Sequence, residues 1–333
     1  MRAENSATDR LAIAVTTPDS SAASPRTPDS GVLLAGLGVV AFSLTFPSTV
    51  WGLESFGPWS LVALRSLLAA LIAAGALLAG RVPPPARHHW PGLAVVAGGV
   101  VVGFPLLTTL ALRTSTSSHA AVVVGLLPLT TALLSALRTG ARPSRAFWAA
   151  AAAGAAVVIA FTLQQSGGAL SGGDAYLCGA LLVCAAGYTE GGRLAKVMPG
   201  WQVIGWALIL ALPLAVAGAA VALPFEPVHP TARGIAGLVW VAAGSTFLGL
   251  YVWYRGMARI GVPRASQLQL AQPLLTLVWS FLALGEEVSV AAPVAAVAVL
   301  LCIAVTQWSG SRERSPAAGR CSRSTGRVDR LRS

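Results

Sequence analysis

Long apolar runs follow one another along this chain with hardly a polar face among them. Ten can be marked, at approximately 31–51, 59–80, 91–112, 116–137, 146–164, 175–193, 201–222, 234–255, 264–285 and 288–308. They are hydrophobic all round instead of striped, which separates a membrane span or a deeply buried helix from a surface helix. Each has about the 20 residues needed to cross the hydrocarbon core. Trp51, Trp59, Trp90, Trp148, Trp201 and Trp308 stand at or near run ends, where an amphipathic ring prefers the interface. The pattern predicts an all-α integral membrane protein of ten transmembrane helices.

Two of the runs are copies. Ala120–Leu137 (AAVVVGLLPLTTALLSAL) slides onto Ala265–Leu282 (ASQLQLAQPLLTLVWSFL) by 145 residues, and Ala120/Ala265, Pro128/Pro273, Leu129/Leu274, Thr131/Thr276, Ser135/Ser280 and Leu137/Leu282 coincide. A proline in mid-span strips a carbonyl of its intrahelical donor, which lipid tolerates only where protein or a wet cavity can answer it. Paired, interrupted helices in matching positions of two halves point to a polar site near the membrane midplane. The expected units are a first repeat over 31–164, an external linker over 165–174 and a second repeat over 175–308. The linker, QQSGGALSGGD with Gln164 included, is a flexible Gly/Ser connection. It precedes no GK[ST] and is not a phosphate loop.

Composition agrees. Hydrophobic residues make up 55%, charged residues 11%, and the mean hydropathy is +0.71, against about 25% charge in soluble domains. The net charge of +11 reads as topology, not as nucleic-acid binding. With the N-terminus inside, inner loops collect Arg81, Arg87, Arg138, Arg142, Arg145, Arg193, Lys196, Arg255, Arg259 and Arg264. The outer side keeps Arg113 and Arg233 and gathers Glu54, Asp174, Glu226, Glu286 and Glu287. Cationic loops stay in the cytoplasm, so both termini are expected there. Five spans per half is an odd number, so the halves enter the bilayer in opposite senses as an inverted-topology repeat. Residues 1–30, with TPDS twice and only a short LAIAV (Leu11–Val15), read as a disordered cytoplasmic tail without a signal peptide. The Arg-rich 309–333 tail would lie on anionic headgroups. Cys178, Cys184, Cys302 and Cys321 form no disulfide framework.

The ten spans, the five-plus-five duplication, the A-x₇-P-L-x-T segments in fourth and ninth place and the LGE of Leu284–Glu286 resemble the EamA-type drug/metabolite transporter superfamily. The ALRS of Ala63–Ser66 and the ALRTSTSSHAA of Ala111–Ala121 are similar too. The resemblance covers residues 31 to 308. Two departures stand out. Phe42-Ser43 occupies the place of the family's mid-helix Trp-Gly pair, and Ala141, the counterpart of Glu286, replaces an acid often found after the fourth span. The resemblance implies a carrier in the cytoplasmic membrane, commonly an exporter of small metabolites such as amino acids, using no ATP directly and no cofactor.

Among candidate site residues, Arg65 is the one basic side chain well inside a run. A charge there costs about 2.5–3.5 kcal/mol on insertion scales. Either it snorkels to the outer interface, or it faces a wet cavity and holds an anionic group, and the second reading is preferred. Ser43, Thr45 and Pro47 lie at a compatible depth. Gln269 and Gln272 share a helix face before Pro273 and are equally suited to substrate contact or to helix gluing. Gln267 points elsewhere. Pro128, Pro273 and Pro105 are helix breaks that shape the site. Gly98, Gly99 and Gly103 permit close packing.

Tyr251 could gate or stack on a substrate, while Trp253 and Tyr254 read as an interfacial belt. Tyr188 and Glu190 stand near the inner end of span six. Glu190, three residues before Arg193, favours a local ion pair, and it is the acidic side chain inside a span that could carry a coupling proton. Glu286 could cap a helix or guard the exit. His88, His89, His119 and His229 lie in loops or at span edges on different sides, so no metal or general-base site is expected. The expected partners are a small-molecule substrate and the bilayer, with proton coupling and a homodimer left open. A non-transporting scaffold or sensor, or an importer or exchanger of the same fold, is the alternative reading.

Overall fold

The computed structural model describes residues 29–140, 144–165, 171–260 and 268–313. Outside them lie nearly all of the N-terminal tail, Ala141, half of the Gly/Ser linker, Gln267 and most of the basic C-terminal tail. The described chain is built of helices, because an apolar segment in lipid must satisfy its backbone internally.

The first rod is α1 (Asp29–Ser43) and α2 (Thr45–Leu53), and the second is α3 (Pro58–Ala79). The third is α4 (Trp90–Val96), a π-helical turn (Ala97–Gly103) and α5 (Phe104–Ala111). The fourth joins α6 (Ser117–Val124) to α7 (Leu127–Thr139), followed by α8 (Arg145–Gln165), α9 (Gly172–Leu194) and α10 (Gly200–Phe225). Next come α11 (Ala232–Val239), a second π-helix (Trp240–Gly249) and α12 (Leu250–Ile260). The chain then runs through α13 (Ala271–Trp279) into a third π-helix (Ser280–Leu284), and ends in α14 (Ala291–Glu313).

Seven helical segments among the described residues are long and apolar enough to cross a membrane, with Ala271–Leu284 and Ala291–Ala304 as shorter apolar helices. The count is below ten for visible reasons. The ninth run starts in residues outside the described set, and α9 carries Asp174, Glu190 and Arg193.

The duplication is physical. The fourth rod breaks at Gly125–Leu126 and the ninth turns at Leu270, which follows Gly125 by 145 residues. The first two π-helices also correspond: Val96-Ala97-Gly98-Gly99 and Val241-Ala242-Ala243-Gly244 stand 145 residues apart. Packing repeats the same exchange. α1 lies on α12 while α9 lies on α4–α5, α3 lies on α10, α6 on α13, and α8 on α14. Swapping the halves leaves this set of pairs unchanged. The halves therefore interleave and share cores: one joins Val122, Leu127, Leu177 and Cys184 with Val299 and Ile303, another Leu93 and Val96 with Leu208.

Close approach explains the third-rod glycines. A Cβ on Gly99 would stand 2.3 Å from the Val183 carbonyl oxygen of α9. Trp253 corrects the sequence reading: it is buried, edge-on to Phe42 with ring centres 6.2 Å apart. Gly38 makes room for it, since a Cβ there would be 2.9 Å from that of Trp253. The side chain of Tyr254 lies outside the described set.

Candidate polar site at the broken first rod

The site begins with a missing donor. Pro47 has no N–H for the Ser43 carbonyl, so the rod interrupts at Leu44 between α1 and α2. The orphaned carbonyl is met from another rod: Thr276 Oγ1 on α13 reaches it at 2.9 Å, sharing its proton with the Gln272 carbonyl at 3.0 Å. The Ser43 hydroxyl donates to Val40 O and accepts from Trp279 Nε1 at 3.0 Å. Pro105 similarly leaves the Val101 carbonyl without its usual donor, and Ser66 Oγ of α3 stands 3.5 Å from it.

The second π-helix collects the rest. Its Ser245 Oγ lies 2.6 Å from Thr45 Oγ1. The adjacent Thr246 donates to Val241 O, five residues back, at 2.6 Å and accepts from Arg65 Nη2 at 3.1 Å. π-helical turns inside α-helices are found frequently at functional sites. Thr45 and Arg65 are thus brought to adjacent residues of the second π-helix, while Ser43, at the helix break, faces α13. Arg65 is only 7% exposed, and no carboxylate among the described residues pairs with it. Thr246 is its one hydrogen-bond partner among the described residues.

Other expected site residues stand further off. Gln272 is one turn from Thr276 and Gln269 nearly two; both are half-buried, and neither amide makes a side-chain hydrogen bond among the described residues. Tyr251 is 39% exposed and accepts from Arg255 Nη1 at 3.1 Å, outside the group around Arg65. Pro128 and Pro273 each follow a helix interruption. Glu190 is buried at 2% and doubly held: Arg193 Nε donates to Oε1 at 2.8 Å, and Arg138 Nη1 from α7 lies 2.6 Å from Oε2, an ionic contact not aligned as a hydrogen bond. Thr246, Ser245, Thr276 and Trp279 were missed. Only Thr276 carried a signal, its match with Thr131.

The two ends of the molecule differ. At one, carboxylates cap helices across the halves. Glu226 accepts from the Trp59 and Ser60 amides of α3 at 3.2 and 2.7 Å. It fits because Gly57 has no side chain; a Cβ there would lie 2.2 Å from the Glu226 carboxyl carbon. Glu286 accepts from the Ser117 and Ser118 amides of α6 at 2.8 and 3.0 Å and from Ser118 Oγ at 2.7 Å, favourable for an anion at a helix N-terminus. Ser280 Oγ donates to Ser117 Oγ, and Phe56 bridges Val228. The positions 145 residues before Glu226 and Glu286 are Arg81 and Ala141. Correspondingly, α10 begins without a side-chain cap.

His119 stands at the edge of the fourth run, as the sequence placed it. It is a buried residue in the first turn of α6, its Nε2 2.7 Å from Asp174 Oδ1. Asp174 lies just ahead of the apolar run starting at Ala175. Burial pushes its carboxyl up, but the Ser171 N–H and hydroxyl and the His119 imidazole outweigh this and hold it below the usual range.

Comparison with known proteins agrees with this architecture. The EamA-like transporter family matches over residues 29–163 and again over 171–308. "Uncharacterized transporter YdeK" of Bacillus subtilis (strain 168) is 42% identical over 274 residues, covering 81% of this chain and 94% of its own length. A crystal structure described only as that of a protein aligns with a TM-score of 0.60 at 24% identity, over 86% of this chain and 99% of its own; that likeness concerns the fold alone. The chain is a multi-pass transmembrane transporter and belongs to the EamA-like transporter family.

Proposed function

We propose that the chain is a secondary carrier that exports a small polar metabolite or drug, amino-acid-like in bearing a carboxylate, across the cytoplasmic membrane by alternating access. Its ten rods are read as ten spans in two inverted five-span repeats with both termini in the cytoplasm. The Lys/Arg distribution and the exchange-invariant helix packing support that arrangement. The Glu226/Glu286 end is then the external one.

The observation that carries the reading is Arg65, buried beside Thr246 without an acidic partner among the described residues. A carboxylate would accept from its free N–H groups, the planar guanidinium orienting it. Gln272 and Gln269, on the cytoplasmic side of Thr276, suit the approach path. Glu190, already balanced by two arginines, suits a cytoplasmic catch better than a coupling site.

The test is flux of a panel of labelled amino acids and related carboxylates and amines in proteoliposomes. Arg65→Gln at equal incorporation lowers carboxylate flux at least tenfold, the order expected for a lost buried charge-assisted bond. Arg65→Lys restores part of it. Undiminished flux in Arg65→Gln removes Arg65 from the site, and preference for amines lacking a carboxylate overturns the substrate class.

A further inference from the structure

We propose that His119, paired with Asp174, is a proton-binding site that tightens the external closure of the carrier as the pH falls. This rests on the alternating-access reading above. His119 is the third residue of α6, and the first turn of that helix is where both halves meet. His119 belongs to the first half; its partner Asp174 opens the second. The two preceding residues, Ser117 and Ser118, are held by Glu286 and Ser280, also of the second half. A change of charge on this imidazole therefore acts where the halves are joined.

Histidine is the side chain whose ordinary titration lies between pH 5 and 8. The ring is 6% exposed, stacks on Phe161 with centres 5.4 Å apart, and sits 2.7 Å from a carboxylate that is itself 4% exposed. An ionised carboxylate only accepts, so the Nε2 proton points to Asp174 and a second proton enters at Nδ1. That proton puts a full positive charge beside the carboxylate, so a hydrogen bond to an anion becomes an ion pair. The remaining ionisable groups that surrounding elements carry at this end are Tyr176 and Cys178 on α9, Arg113 beyond α5, Glu54 beyond α2, and Glu286 and Glu287 beyond the third π-helix. α8 and α14 bring none to it.

The helix N-terminus disfavours a cation, but Glu286 occupies that terminus with a full negative charge. Because the pair exists in the closed state, that state binds the proton more tightly, and by linkage acid favours closure.

The experiment measures distances between spin labels at Thr114→Cys and Glu287→Cys, one on each side of the closure. It uses the full chain in nanodiscs with the native cysteines replaced, at pH 5.5 and 8.5. The ratio of the short-distance to the long-distance population rises about fivefold at pH 5.5. His119→Gln and Asp174→Asn each hold that ratio constant, and the second serves if the first does not fold. A ratio blind to pH, or an equal shift in both variants, overturns the inference and leaves alternating access standing. A single short distance at every pH, with labels at the opposite end equally fixed, overturns both.

Discussion

Thr276 and Thr131 occupy the same place in the two repeats and have opposite fates. Thr276 answers the carbonyl that Pro47 orphaned, whereas the Thr131 hydroxyl is buried without a partner among the described residues. The reason lies 145 residues after Pro47, where the chain has Gly192, which keeps its N–H, and α9 runs unbroken past Tyr188. Thr276→Val therefore strands the Ser43 carbonyl and costs about 1–3 kcal/mol, read as a lower melting temperature in detergent. Thr131→Val removes a desolvated hydroxyl that gains nothing in return, and is neutral or stabilising. Equal losses from both would contradict this account of the break. At this scale the sequence was legible where chemistry is local: Arg65 inside an apolar run, Pro47 near Ser43. It was silent on Thr246 and Trp279, whose importance comes from lying opposite Arg65 and Ser43, 181 and 236 residues away. His119 was set aside as a lone edge residue because Asp174, 55 residues on, becomes its neighbour only through packing.

Among the elements, the rods and their interruptions at Gly125–Leu126 and Leu270 follow from apolar runs punctuated by proline. The π-helices do not. VAGGVVVG and WVAAGSTFLG read as ordinary small-residue helix, and it is the demand of close neighbours that widens the turn. Gly99 abuts the α9 backbone, whereas a Cβ on Gly98 meets nothing within 4 Å. Gly99→Val accordingly forces the third rod from α9 and costs several kcal/mol, as overpacking of about 1–3 kcal/mol is compounded by a backbone clash. Gly98→Val is tolerated. Size-exclusion profiles and melting curves of the two variants separate them; if Gly98→Val were the worse, the packing described here would be wrong. Trp253 makes the same point in reverse. Its position near a span end suggested an interfacial ring, but the groove offered by Gly38 buries it.

For the whole molecule, the duplication was readable from two copied segments, and their interleaving was not. Nothing in a linear repeat says that α1 seeks α12 while α9 seeks α4–α5, because that choice depends on how the halves face each other. The same symmetry makes its violations meaningful: Glu226 and Glu286 cap helices at one end, while Arg81 and Ala141 stand in their places in the other repeat. The two ends of the molecule are therefore chemically unequal. All of this depends on the two halves crossing the bilayer in opposite senses. Single cysteines at His88 and Gly172, in a background without the native four, test it directly with a membrane-impermeant thiol reagent on intact cells. The account predicts that Gly172→Cys is labelled from outside and His88→Cys only after the membrane is opened. Labelling of both from the same side would contradict it.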